Sequence, residues 1–148
     1  MGPVKAGLLL RLPVRLRGIQ LGRVADLVLD VERRRVLGLE VVCGDQAMRF
    51  LPLAVADVDE REIRVSSALV LLDAGELAFY TSRGSTYGAL RGTSVVRCTE
   101  LLGRLEDLVL ERDGSIPRLV VEGEDGREEL AYGRDVELGA PGTHVLAS

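Results

Sequence analysis

The sequence predicts a mainly-β protein in which one small antiparallel domain is written twice, the copies joined by a short helical linker. Three observations predict it. Leu21–Asp30 reads LGRVADLVLD and Leu102–Glu111 reads LGRLEDLVLE, identical at seven of ten positions and 81 residues apart. Apolar residues alternate with polar ones over short stretches, the period of a half-buried strand. Asp113-Gly114 and Asp125-Gly126 stand between such stretches, and Asp-Gly between apolar runs is a strong hairpin signal.

Taken in order, Leu10, Leu12, Val14 and Leu16 alternate with Arg11, Pro13, Arg15 and Arg17, predicting a strand apolar on one face and cationic on the other. Val24–Val31, Val36–Val42, Met48–Leu53 and Ile63–Ser66 follow as strands, separated by the charged turn ERRR and by Cys43-Gly44-Asp45-Gln46. Copy two repeats this rhythm, with VRLRGIQLGRVADLVLD from Val14 set against VRCTELLGRLEDLVLE from Val96, one residue shorter. A period this long, present only twice, indicates a duplicated domain rather than a solenoid. The boundaries expected are 1–67 for the first copy, 68–93 for the linker and 94–148 for the second. In the linker, Asp73-Ala-Gly-Glu76 has capping-box spacing and predicts a helix over 74–83, then a loose Gly/Ser segment to Gly92. Short strands with closely spaced turns are compatible with a sandwich or a small closed barrel.

A copy of about 60 residues buries only roughly 60% of its unfolded surface. Leu27-Val28-Leu29 and Leu108-Val109-Leu110 are apolar on consecutive positions, so these strands need cover on both faces. One face is expected to fill a barrel, the other to meet the linker helix or the sister copy.

Composition narrows the function classes. The longest apolar run, Ala68–Leu72, falls far short of the roughly 20 residues of a membrane span, so no membrane insertion and a cytoplasmic location are expected. Two cysteines without a CxxC support neither a disulfide framework nor a zinc site. The acidic run Asp57, Asp59, Glu60, Glu62 lacks the Gly and Glu of a calcium loop, so no metal and no cofactor are assigned. Gly84–Gly92 lacks the Lys-Ser/Thr of a phosphate-binding loop. The single histidine, His144, is expected to be an ordinary strand residue, Cys98 a buried small hydrophobe, and Cys43 a strand-end residue.

These residues resemble the PRC-barrel family. The pattern is Gly22-Arg23-Val24-Ala25-Asp26-Leu27-Val28-Leu29-Asp30, a charged turn, Val36–Val42, and Arg49-Phe50-Leu51-Pro52 followed by Asp57-Val58. The second copy keeps Gly103–Leu110 and loses Phe-Leu-Pro at Leu130-Ala131-Tyr132. The resemblance implies two tandem small antiparallel β-barrels used as binding modules, with no general catalytic residues. Among the relatives it implies is a bacterial ribosome maturation factor, which makes a ribosome-linked role, through ribosomal protein or RNA, the alternative function.

Candidate residues fall into two groups. Gly22 and Asp26, with Gly103 and Asp107, recur between copies and are read as requirements of the fold, the carboxylates bonding turn amides near those glycines. Charge marks the second group. Residues 1–65 carry eleven cations and nine anions, net +2, whereas 94–148 carry six and twelve, net −6. Arg11, Arg15 and Arg17, with Arg33, Arg34 and Arg35 in the following turn and Arg49, which is Glu129 in copy two, form the expected partner-binding patch. The function expected is a non-enzymatic adaptor that binds an unidentified protein partner, with ribosomal association and a homodimer left open.

Overall fold

A computed structural model describes residues 3–138. Thirteen strands and three helices follow in the order β1 (Val4–Lys5), α1 (Ala6–Leu9), β2 (Pro13–Leu16), β3 (Ile19–Asp30), β4 (Arg35–Cys43), β5 (Met48–Pro52), β6 (Asp57–Val58), β7 (Ile63–Arg64), α2 (Ala74–Arg83), β8 (Ser85–Thr86), α3 (Tyr87–Leu90), β9 (Ser94–Arg97), β10 (Glu100–Leu110), β11 (Arg118–Gly123), β12 (Gly126–Ala131) and β13 (Val136–Leu138). They form two sheets, one per copy. The first has the order β5-β4-β3-β2-β7-β6 with β8 added on β3; the second has β12-β11-β10-β9-β13 with β1 added on β10.

Neither sheet closes, and this corrects the expectation of two tandem PRC-type β-barrels. Closure requires the edge strands of a sheet to pair with each other. Here β5 and β6 remain the two edges of the first sheet, and β12 and β13 those of the second. The reason lies in how the apolar residues are shared. Leu27, Leu29, Leu39 and Leu51 of copy one join Leu105, Leu108, Leu110 and Leu119 of copy two in a single continuous core. Two separate barrel interiors are therefore replaced by one interior lying between two open sheets.

The sharing is reciprocal. Along one edge of β3, β2 pairs at Ile19–Arg23 and β8, which lies 81 residues after β1, pairs at Val28 and Leu29. On β10 the same edge carries β9 at Glu100–Arg104 and then β1 at Val109 and Leu110. Each long strand is thus completed by a segment from the other copy. The register also sets the correspondence: Val14 faces Gly22 as Val95 faces Gly103. Copy two therefore aligns without a gap from Ser85 onward, and the Gly/Ser stretch read as a loose linker supplies β8 and α3. Beyond the turn between β3 and β4 the offset drops to 80, as the seam shows: the Val36 amide donates to the Gly114 carbonyl at 2.7 Å and the Ile116 amide to the Arg34 carbonyl at 3.0 Å. Arg35 and Ser115, equivalent residues, bridge each other on the local two-fold axis.

The linker helix α2 begins where Asp73 accepts a hydrogen bond from the Glu76 amide at 3.1 Å, and it ends at Gly84. It lies on the outer face of the first sheet. Leu77 and Tyr80 pack there with Val28 and Phe50, and the Phe50 and Tyr80 rings stack at 4.3 Å between centroids. This is the second cover that the apolar run Leu27–Leu29 demands. Chain entering the helix also pairs with the β5 edge, Phe50 and Leu72 exchanging backbone bonds of 2.9 and 2.8 Å.

Two tyrosines couple this core to pH. The Tyr132 hydroxyl donates to the Val31 carbonyl at 3.2 Å, and Tyr87 donates to Asp107 at 3.1 Å. Burial pushes Tyr132 up to about 12, and burial with the neighbouring Asp107 carboxylate pushes Tyr87 higher still. An unfolded tyrosine ionises near pH 10. A raised folded value stabilises the protein fully below about pH 10, and this contribution is lost as pH rises towards 12. Urea midpoints should therefore fall from about pH 10 upward, with tyrosinate absorbance appearing together with unfolding, and Tyr132→Phe should flatten that fall.

Candidate functional site

Asp26 and Asp107 explain the repeated motif. Each follows a bulge in its long strand, where the register shifts between Val24 and Asp26 and between Leu105 and Asp107. A bulge re-aims the side chain beside it. Asp26 accepts from the Gly88 amide at 2.9 Å and Asp107 from the Gly7 amide at 3.0 Å, so each carboxylate holds the one-turn helix of the other copy. This corrects the expectation that they bond amides near Gly22 and Gly103. Gly7 and Gly88 are needed for the approach: a Cβ would stand 2.9 and 2.7 Å from the facing carboxylate oxygens. Gly22 and Gly103 serve another close contact, their Cα atoms lying against the Val42 and Glu122 carbonyls of the neighbouring strand. All four residues of the motif thus make close contacts within the fold.

The arginines do not form one patch. Arg17 sits in the hairpin turn that opens β3, whereas Arg33 and Arg34 sit in the turn that closes it and Arg35 begins β4, on the order of 30 Å along the strand. Arg33 pairs with Asp30 at 3.7 Å. Arg35 donates to the Asp113 carbonyl at 2.6 Å, which places it in the seam between copies. Arg34 lines a cleft beside Tyr132. Arg11 lies outside β2 with φ 71°, its amide bonded to the Val24 carbonyl.

Arg15, Arg17 and Arg49 do gather at one end of the first sheet. Arg15 faces Gln20 and pairs with Glu62 at 3.6 Å; Arg49 pairs with Asp45 at 3.2 Å. Two shallow clefts of about 320 and 280 Å³ meet there at Leu21, Cys43 and Gly44. The first is flanked by Gln20 and Arg23, the second by Arg49, Ala68 and Leu71. Next to them in the chain stand Ile19, 67% exposed, and Leu69, 88% exposed. Among the described residues, Arg17 and Arg23 have no ion-pair partner. Turn geometry presents the first of these: Arg17 and Gly18 both have positive φ, 50° and 84°, the two-residue turn favoured between twisted strands.

Compared with known proteins, the chain matches no protein-family model, and no curated protein sequence matches it. The PRC-barrel resemblance therefore stands without support from sequence comparison as well as from the open sheets, and the ribosome-linked role it implied goes with it.

Cys43 lines both clefts but is buried, and burial raises its thiol above the ordinary range, partly opposed by Arg49. It is a protonated wall residue at neutral pH. Cys98 is exposed, not buried as expected; the ungapped correspondence equates it with Arg17, and both hold a positive φ in the same turn. Asp57 and Asp59 of the acidic run bind Arg64 at 2.9 and 2.7 Å, and Glu62 lies 3.8 Å from the same guanidinium. His144 lies outside the described residues. Among the described residues no helix is long and apolar enough to cross a membrane.

Sequence reasoning missed Ile19 and Leu69. The signal was available in the copy comparison: Ile19 corresponds to Glu100, a pairing that the gapped alignment hid.

Proposed function

We propose that the protein is a non-catalytic adaptor that docks an acidic, partly apolar protein surface on the Arg17–Gly44 end of its first sheet. The observation that carries this is the contrast between two ends that the fold makes equivalent. Where copy one has Arg17, Ile19, Cys43 and Arg49, copy two has Cys98, Glu100, Gly123 and Glu129. Both sets serve the same backbone, so folding does not demand the exposed Ile19 or the arginines around it. Apolar side chains exposed within a charged rim are the usual composition of a protein-docking surface.

The opposite end supports the adaptor part of the reading. Exposed Leu101 stands beside Glu100, and Glu124 and Asp125 occupy the next turn. Each end lies at the terminus of its long strand away from the seam turns, so one molecule presents a cationic and an anionic end. Electrostatic complementarity then selects different partners for each.

The test compares affinity capture by the wild-type chain with capture by the triple variant Arg17→Glu, Ile19→Asp, Leu69→Asp, whose changes all lie on exposed side chains. The proteins retained by the wild type should fall about tenfold or more with the variant, the loss expected for removing interface anchors. An unchanged retained set, with circular dichroism showing both proteins folded, would refute the reading.

A further inference from the structure

Where the copies meet, a cleft of about 220 Å³ opens between the β1–α1 segment, the turn before β6 and the end of β10. Its wall is apolar, formed by Val4, Leu9, Leu53, Ala56, Val58 and Leu110. Asp57, Glu111 and Arg112 stand around it. Two of these three are engaged with ions. Asp57 holds Arg64 at 2.9 Å and Arg112 at 3.8 Å. Glu111, exposed at the cleft, has no ion-pair partner among the described residues.

The copy comparison shows that this arrangement is not imposed by the fold. In copy two, Val136, Glu137 and Leu138 line a second cleft of about 280 Å³. That cleft carries Arg34 and Arg134 beside Tyr132. Glu111 itself corresponds to Asp30, which is neutralised by Arg33 at 3.7 Å. Only copy two leaves the carboxylate at this position without a counter-ion.

We propose that the seam cleft binds a small aliphatic ammonium, its chain against the apolar wall and its cationic head at the Glu111 carboxylate. The volume is below that of a typical drug-sized pocket, which fits a short chain rather than a large ring system. Sign follows from the charges: Arg112 and Asp57 pair with each other, which leaves Glu111 as the unpaired charge at the rim, so a cation is favoured.

The experiment titrates n-hexylammonium, n-hexanol and hexanoate separately into the full-length protein and follows backbone amide shifts by NMR. Hexylammonium should shift the amides of Leu9, Ala56, Leu110 and Glu111 saturably, and bind about tenfold more tightly than hexanol. Glu111→Gln should bring hexylammonium to the level of hexanol without unfolding the protein, because Glu111 is exposed. The proposal is overturned if hexanoate binds as well as hexylammonium, if Glu111→Gln changes nothing, or if no saturable shift appears at these residues.

Discussion

Cut between Gly84 and Ser85, the chain is expected to yield two fragments that fold together and not apart. Residues 1–84 retain β3 but lose β8 and α3 from its edge, and residues 85–148 retain β10 but lose β1 and α1. Each also loses one wall of the shared core, exposing Leu27 and Leu29 in one fragment and Leu108 and Leu110 in the other. Chains of 84 and 64 residues are close to the size at which a single core barely offsets chain entropy, even with that core complete. Thermal melts by circular dichroism should show no cooperative transition for either fragment alone. An equimolar mixture should regain one, at a temperature that rises with concentration as association requires. A cooperative melt for 85–148 alone, close to that of the intact chain, would show that the copies are independent after all.

The second large effect is expected at Asp107. Its carboxylate accepts from the Gly7 amide at 3.0 Å, from its neighbour Leu108 at 2.8 Å and from the buried Tyr87 hydroxyl at 3.1 Å. Asp107→Ala removes three charge-assisted bonds and leaves the buried Tyr87 hydroxyl only its longer bond to the Glu106 carbonyl at 3.3 Å, at a cost of roughly 2–3 kcal/mol after allowing for the partly exposed positions. For a chain of this length that is a fall in Tm on the order of 5–10 °C. Asp26 makes the equivalent bonds to Gly88 and Leu27, at 2.9 and 2.8 Å, but its counterpart of Tyr87 is Ala6, so Asp26→Ala should cost about 1–2 kcal/mol. Asp107→Asn, which keeps an acceptor, should lose less than Asp107→Ala. Equal small losses at both sites, within about 0.5 kcal/mol of zero, would contradict the interlock.

Local signals carried much of the fold. The helix Ala74–Arg83 is legible because Asp73 and Glu76 stand three apart, and an N-cap bond needs only those neighbours. The strand runs 24–30 and 36–42 are legible because short Val- and Leu-rich runs stand between charged and Gly-containing turns. The segments 4–9 and 85–90 are not legible in this way. They are short, they share little beyond Gly7 and Gly88 and Leu9 and Leu90, and their pairing partners lie in the other copy. The candidate site is legible only in part. Arginine is visible as a charge in the sequence, but whether Arg35 is free or bonded to the Asp113 carbonyl depends on a turn 78 residues away.

By itself the sequence determined that there are two copies, that they are mainly β, that a capped helix stands between them and that their charges have diverged. These follow from identity, periodicity and spacing, all of them local. Only the tertiary structure decided that the sheets stay open and share one core, that each aspartate serves the opposite copy, and that Arg17 and Arg49 share an end with Ile19 while Arg33–Arg35 do not. A strand's periodicity states which face it buries but not against what. That choice is made by burial between residues distant in sequence, where one joint interior removes from water what two small barrels would have enclosed separately.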